Sequence, residues 1–273
     1  MQEMSRRFND DKVVENLYTF FGDAKRDYLP HGVTENEFLE RLNPEELEEI
    51  QKDIAYTMIR RKTFDDARVL KKWQIIIDAT ELDEGYQKKN DYYLSRCYNR
   101  GESNECTKYH RSVLEAKLSL GHNLLCSIAT ETIQNSEEYI SQSEDKVKQD
   151  CESKAFIRLA EKIKKRFPRL PVIITADGLY VTQRVLQICR NNGWDYIIRY
   201  KEGCAATIEQ EYRALPEKEK AGEDIEYQNQ IPFGENDVNL IYYTEKKEQA
   251  DGKIRVTKFA WITNIKITKG NAG

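Results

Sequence analysis

Two aspartates close two β-branched runs, Trp73-Gln-Ile-Ile-Ile-Asp78-Ala-Thr80 and Pro171-Val-Ile-Ile-Thr-Ala-Asp177-Gly-Leu-Tyr180. Consecutive isoleucines and valines suit a strand packed on both faces, and each run interrupts its apolar pattern with an acid. A buried, unpaired carboxylate costs on the order of several kcal/mol, so each acid needs a metal, a cation or water at the strand end. Side by side, two carboxylates hold divalent magnesium or manganese, hard cations that take oxygen ligands. Paired ions about 4 Å apart activate an attacking water and stabilise the leaving oxygen of a phosphodiester. In that chemistry Asp78 and Asp177 are metal ligands and catalytic residues, not proton carriers. Each aspartate alone also has a plainer reading. Asp177-Gly178 is a common turn dipeptide, and a doubly wound fold with an acidic pocket, such as a phosphotransfer domain, also sets Asp at strand ends.

The elements between the two acids decide whether they meet. After the strand at 73–80 come strands 113–118 and 124–130, joined as a hairpin through Gly121-His122. A helix from Glu152 to Phe167 is stopped by Pro168, and the second acidic strand spans 171–176. A helix over 181–192 ends at Asn192-Gly193, a left-handed stop, and strand 194–200 and helix 205–215 follow. An antiparallel trio followed by right-handed crossovers makes an α/β fold, a mixed sheet with helices on both faces. This is the element order of the RNase H-like fold, in which the first strand lies beside the fourth and Asp78 would face Asp177. Runs 225–233, 238–244 and 254–262, separated by turns rich in Gly, Asn and Asp, read as a C-terminal β-meander.

Residues 1–70 read as an N-terminal helical region ahead of the domain at 71–273. Val13, Val14, Leu17, Phe20 and Phe21 keep helical spacing, Thr34 to Glu37 is a capping box, and Asn43-Pro44 opens a third helix. Leu47, Ile50, Ile54 and Met58 follow at i, i+3, i+7 and i+11 on one face of it. This region carries 11 basic and 16 acidic residues, a poor balance for a DNA-binding module, so a helical cap on the main domain is the plainer reading.

The segment 86–111 is polar and lacks strong periodicity. It carries Lys88, Lys89 and Arg96 among five interleaved tyrosines (86, 92, 93, 98 and 109), a mixture suited to stacking on bases and pairing with phosphates. A solvated loop with packed tyrosines is the alternative. Arg199 and Lys201, at the end of strand 194–200, are further candidate phosphate contacts. The cations on the outer face of helix 152–167 (Arg158, Lys162, Lys164, Lys165 and Arg166) read as a solvated face. His110 reads as a core or hairpin residue rather than a ligand.

Composition bounds the partners. A net charge of −4 gives no overall basic character, so a nucleic acid must be held by local patches or through metal. No run of about 18 apolar residues could span a bilayer, and no early apolar run has the form of a signal peptide, so no membrane partner is expected. Six cysteines without CxxC pairs point to reduced thiols in a cytoplasmic protein.

Several stretches resemble the DDE-type transposases of bacterial insertion sequences. They are Ile75-Ile-Ile-Asp-Ala-Thr-Glu-Leu82, Tyr109-His-Arg-Ser-Val-Leu-Glu-Ala-Lys-Leu118, Lys148-Gln-Asp-Cys-Glu152 with Lys154-Ala-Phe, Thr175-Ala-Asp-Gly-Leu-Tyr180 and Trp194-Asp-Tyr-Ile-Ile-Arg-Tyr-Lys-Glu-Gly203. Together they cover roughly residues 70–265, and the last two carry the resemblance most specifically. The resemblance implies an RNase H-like catalytic domain, Mg2+ or Mn2+ dependence, and cleavage and transfer of DNA strands at transposon ends into target DNA. It makes Asp78 and Asp177 the first two acids of the triad and 223–262 a β-strand insertion. It further implies a bacterial, cytoplasmic, nucleoid-associated protein, with a homodimer as one expected assembly.

The family's third acid, a glutamate, is expected on a helix after the last core strand. Phe259 to Ile265 reads as that strand, and the sequence stops at Gly273. Glu202, Glu245 and Glu248 lie outside the expected context, and Glu152 is an alternative whose place at a helix start suits an N-terminal charge. The expectation is therefore a truncated transposase, poor at cutting alone. A DNA-binding remnant and a plain RNase H-like nuclease are the alternatives.

Overall fold

The computed structural model describes residues 10–21, 32–141, 148–215, 217–249 and 252–272. The chain divides into two compact units, Met1–Gln51 and Lys52–Gly273. The first contains helices α1 (Asp11–Phe21) and α2 (Gly32–Arg41) and the opening turns of α3 (Pro44–Arg60). Helix α3 opens as its residues require: the Asn43 carboxamide accepts a 3.0 Å bond from the amide of Glu45, with Pro44 in the first turn. Helix α2 begins at Gly32, so Thr34 lies inside its first turn instead of capping it.

The four spaced apolar residues of α3 divide, with Met58 packed against the core and the others open. Leu47, Ile50 and Ile54 are 42%, 56% and 46% exposed, whereas Ala55 is fully buried. The small Ala55 side chain lets the helix backbone approach the core. There the Tyr56 hydroxyl donates to the carbonyl of Arg166 (2.5 Å) and its ring lies 4.9 Å from Phe167.

The second unit is built on one sheet. Its strands are β1 (Trp73–Gly85), β2 (Leu94–Tyr98), β3 (Cys106–Ser119), β4 (Leu125–Ile133), β5 (Val172–Ala176), β6 (Asp195–Tyr200), β7 (Glu219–Lys220), β8 (Ile225–Phe233), β9 (Asn236–Glu248) and β10 (Ile254–Thr263). The order across the sheet is β2-β3-β1-β5-β6-β10-β9-β8-β7, with β4 also paired to β3. The pairs β1–β5 and β5–β6 are parallel and the remainder antiparallel, so the fold is mixed α/β. The helices are α4 (Glu137–Ser141), α5 (Glu152–Arg166), α6 (Gln183–Asn191) and α7 (Ala206–Ala214). None of the described helices is long and apolar enough to cross a membrane.

Three features differ from expectation. First, part of 86–111 is strand: β2 and the first half of β3 extend the sheet there, and β1 runs on to Gly85 to pair with β3. Second, the meander β8-β9-β10 is continuous with the central sheet, because β10 pairs with β6. Third, Arg158, Lys162, Lys164 and Arg166 on the outer face of α5 are engaged within the fold. Arg158 binds Glu131 (2.6 Å) and Asp150 (2.7 Å), Lys162 binds Glu131 (2.7 Å), and Arg166 donates to the carbonyl of Ile128 (2.9 Å). They clamp the helix to β4.

Alternation along the strands sorts residues between the two faces. Ile75, Ile77, Leu114, Ala116, Leu118, Ile174, Ile198, Leu240 and Ile262 point to one side. They form a continuous core with Phe156, Leu159 and Ile163 of α5, Val185 and Leu186 of α6 and Ile208 and Tyr212 of α7. The opposite side carries Ile76, Asp78, Ile173, Thr175, Ile197, Arg199, Ile241 and Trp261. Where helices on both faces were expected, this side holds an apolar groove beside β6, β10 and β9. It is lined by strand residues, Val69, Leu70 and the C-terminal residues 265–272, with no helical residue in its wall.

Candidate active site

The two aspartates are brought together by the β1–β5 ladder. Every pair in that ladder is separated by 99 residues, from Trp73 with Val172 to Ile76 with Thr175, and Asp78 and Asp177 share the same separation. Asp177 directly follows β5 and keeps an extended backbone (φ −82°, ψ −179°), so the pairing continues geometrically to it. Residues in parallel register point to the same face of a sheet, and neighbouring strands lie about 4.8 Å apart. Asp78 and Asp177 are therefore neighbours on one face, at the carboxyl end of β5. One step earlier on that face, the Thr175 hydroxyl donates to the carbonyl of Ile75 (3.2 Å) and accepts from Gln74 (3.3 Å), pinning the two strands together.

The row continues on both sides. Glu115 of β3 stands directly opposite Asp78. On the other side the β5–β6 ladder, which pairs Ala176 with Ile198, leads Asp177 to Arg199, and Arg199 is paired with Trp261. Gly178 keeps this approach close: a Cβ there would stand 3.0 Å from the Cys204 sulfur and 3.3 Å from the carbonyl of Arg199. A larger residue would need Cys204 or the Arg199 carbonyl to give by a few tenths of an ångström.

Asp78 is exposed and Asp177 half-buried. Oδ1 of Asp177 caps the following 3-10 turn by accepting from the amide of Leu179 (2.9 Å), so the turn-capping reading of this residue holds alongside any other. Neither aspartate forms an ion pair with a described residue. Two carboxylates without an ion-pair partner among the described residues suit a cation site. Among the described residues no three His, Cys, Asp or Glu side chains are gathered tightly enough to surround a metal ion.

The acids considered for a third position have other partners. Glu202 pairs with Arg213 (2.5 Å) and Glu245 with Lys247 (2.9 Å), while Glu248 sits at the end of β9. Glu152, in the first turn of α5, accepts a 2.9 Å bond from the hydroxyl of Tyr180. The Tyr180 phenol is held well above its ordinary pKa, first by burial and then by the charges of Glu152, Asp177 and Asp78. Three carboxylates thus act on one buried hydroxyl behind the acid pair. The sequence singled out neither Tyr180 nor Glu115 for a role. Tyr180 is one aromatic among sixteen tyrosines, and Glu115 acquires its place only through strand register.

The candidate cations fall into two groups. Arg199 and Lys201 lie beside Asp177 and Gly178, as the ladder and the Lys201 stem show. Lys88, Lys89 and Arg96 belong to the extended hairpin. Lys88 pairs with Asp91 (2.8 Å), Lys89 with Asp83 (2.5 Å), and Arg96 donates to the hydroxyl of Tyr98 (3.3 Å). Exposed pairs of this kind are worth about 0–1 kcal/mol, so a phosphate could exchange for either carboxylate. His110 is buried, in keeping with a core residue. All six cysteines are free. The sequence matches no protein-family model and no curated protein.

Proposed function

We propose that this chain is a DNA-processing domain of the DDE transposase type, with an RNase H-like sheet whose Asp78 and Asp177 hold Mg2+ or Mn2+ against a phosphodiester. The observation carrying this reading is the register that makes the two acids neighbours on one face, unpaired by any described cation. The residues suit such an ion: two carboxylates, one fixed by its own turn, offer the oxygen donors that hard cations take. When bound, the ion supplies an activated water and charge stabilisation at the leaving oxygen. The chain's own residues position the phosphate, through Arg199 and Lys201 beside Asp177, and anchor the Asp177 turn through Gly178 and Tyr180. DNA at transposon ends and in the target, a homodimer and a bacterial nucleoid setting belong to the same proposal.

A second reading rests on the engagement of Glu152, Glu202 and Glu245 with partners of their own. It is a DNA-binding protein that occupies ends without cutting them. A plain nuclease of the same class would instead leave free ends rather than joined strands.

Mn2+ binding, followed by electron paramagnetic resonance, tests the site directly. Asp78→Asn and Asp177→Asn should each weaken Mn2+ binding at least ten-fold. Unchanged affinity in both variants would sink the metal assignment. DNA cleavage and joining assays on the wild-type chain with Mg2+ then separate the readings. Joined products support the transposase, free ends the nuclease, and tight binding without products the non-cutting protein.

A further inference from the structure

On the face that carries the acid pair, three rings form a strip along β10 and β9. Tyr243 and Phe259 are stacked at 6.4 Å and Phe259 and Trp261 at 6.2 Å. The Arg199 guanidinium lies over two of them, 4.6 Å from the Phe259 ring and 5.4 Å from that of Trp261. Its Nε is shut off from solvent and has no hydrogen-bond partner among the described residues. Farther along the same face Arg255 of β10 stands directly opposite Lys247 of β9. Both are exposed. Like charges placed opposite one another destabilise a ladder. Glu245 answers Lys247 at 2.9 Å, but Arg255 forms no ion pair with a described residue.

Rings in sequence, a cation lying over them and an unbalanced basic pair beyond them suit a ligand that is both planar and anionic. We propose that this strip binds unpaired single-stranded DNA. Bases stack on Trp261, Phe259 and Tyr243, and phosphates meet Arg199, Arg255 and Lys247. The inference rests on the DNA reading above and adds where the strand lies, because the row Asp78-Asp177-Arg199-Trp261 links the strip to the acid pair. Tyr243 and Trp261 also line the apolar groove on this face, but an apolar occupant such as a second copy of the chain would leave Arg199 and Arg255 without an anion. Stacking on protein rings tolerates any base, so no sequence preference is required.

The test uses the full chain, EDTA and a fluorescein-labelled oligothymidine of about 15 nucleotides, a length within the footprint of known single-strand binding surfaces. Anisotropy gives affinity, and protein fluorescence reports the rings. Of the three tryptophans, Trp73 and Trp194 are each only 2% exposed, so quenching by bound bases reports on Trp261. The wild type should bind with quenching. Tyr243→Ala should weaken binding at least about five-fold, and the double variant Arg255→Glu, Lys247→Glu should weaken it and flatten its salt dependence. Trp261→Phe should lose the quench. Both Asp→Asn variants should bind as well as wild type or better. Binding without quenching, or full affinity in the Tyr243 and Arg255/Lys247 variants, would overturn the proposal. So would absence of oligonucleotide binding together with a homodimer that Tyr243→Ala dissociates, which would assign this face to a second copy. Mn2+ binding is read separately, so failure of the strip leaves the metal assignment standing, and the converse.

Discussion

The hydroxyl of Tyr180 donates a 2.9 Å hydrogen bond to Oε2 of Glu152, joining the turn after Asp177 to the first turn of α5. Tyr180 is 2% exposed and its ring packs 5.8 Å from Phe156 of the same helix. The acid pair is therefore supported from behind by a buried contact, and the capping carboxylate of Asp177 stands on a turn that this contact holds.

Tyr180→Phe keeps the ring and removes the bond. A bond to a charged acceptor that is only partly buried is worth about 1–2 kcal/mol, so urea unfolding should show a loss of that size. Glu152→Gln, which retains an acceptor, should lose less. Equal stability of Tyr180→Phe and wild type would show that the bond contributes nothing to the fold.

Arg158 spans two carboxylates with little access to solvent, Glu131 at 13% and Asp150 at 7% side-chain exposure. Arg158→Ala should cost about 2 kcal/mol. That is less than breaking a fully buried pair, because Arg158 is 41% exposed and Lys162 remains on Glu131. Arg158→Lys should recover only part of the loss, since an ammonium cannot serve both acids at once. Denaturation midpoints of the three proteins check the order.

His110 is held below its ordinary pKa, mainly by burial and then by the charge of Arg96, against the opposing pull of Glu81 and Glu84. The unfolded chain consequently takes up a proton at higher pH than the folded one. Stability linked to His110 is complete above the unfolded value, near 6.5, and falls as pH drops through that value toward the folded one. His110→Gln should flatten the stability profile between about pH 5 and 7.5 relative to wild type. Parallel profiles for the two proteins would remove His110 as the source.

The buried strands and their acids were legible because burial leaves a strong local trace. Ile75-Ile-Ile-Asp78 and Val172-Ile-Ile announce themselves by β-branching, and strand 225–233 falls at its expected limits. The extended hairpin was not legible. Its ladder is held by contacts such as Lys108 with Glu84 (2.6 Å), with Tyr86 and Tyr98 near the same ammonium. A ribbon polar on both sides has no apolar alternation to read. On α3, spacing alone did not tell which residues the core takes. Leu47, Ile50 and Ile54 have the spacing of a buried face, but the small Ala55 allows the closer approach.

Local chemistry, then, was enough to place strands, helices and two conspicuous carboxylates along the chain. It could not select their neighbours. The alignment of Glu115, Asp78, Asp177, Arg199 and Trp261 in one row comes from hydrogen-bond register between segments far apart in sequence. Alternation tells which residues of one strand share a face; only the pairing of strands decides which residues of different strands meet there.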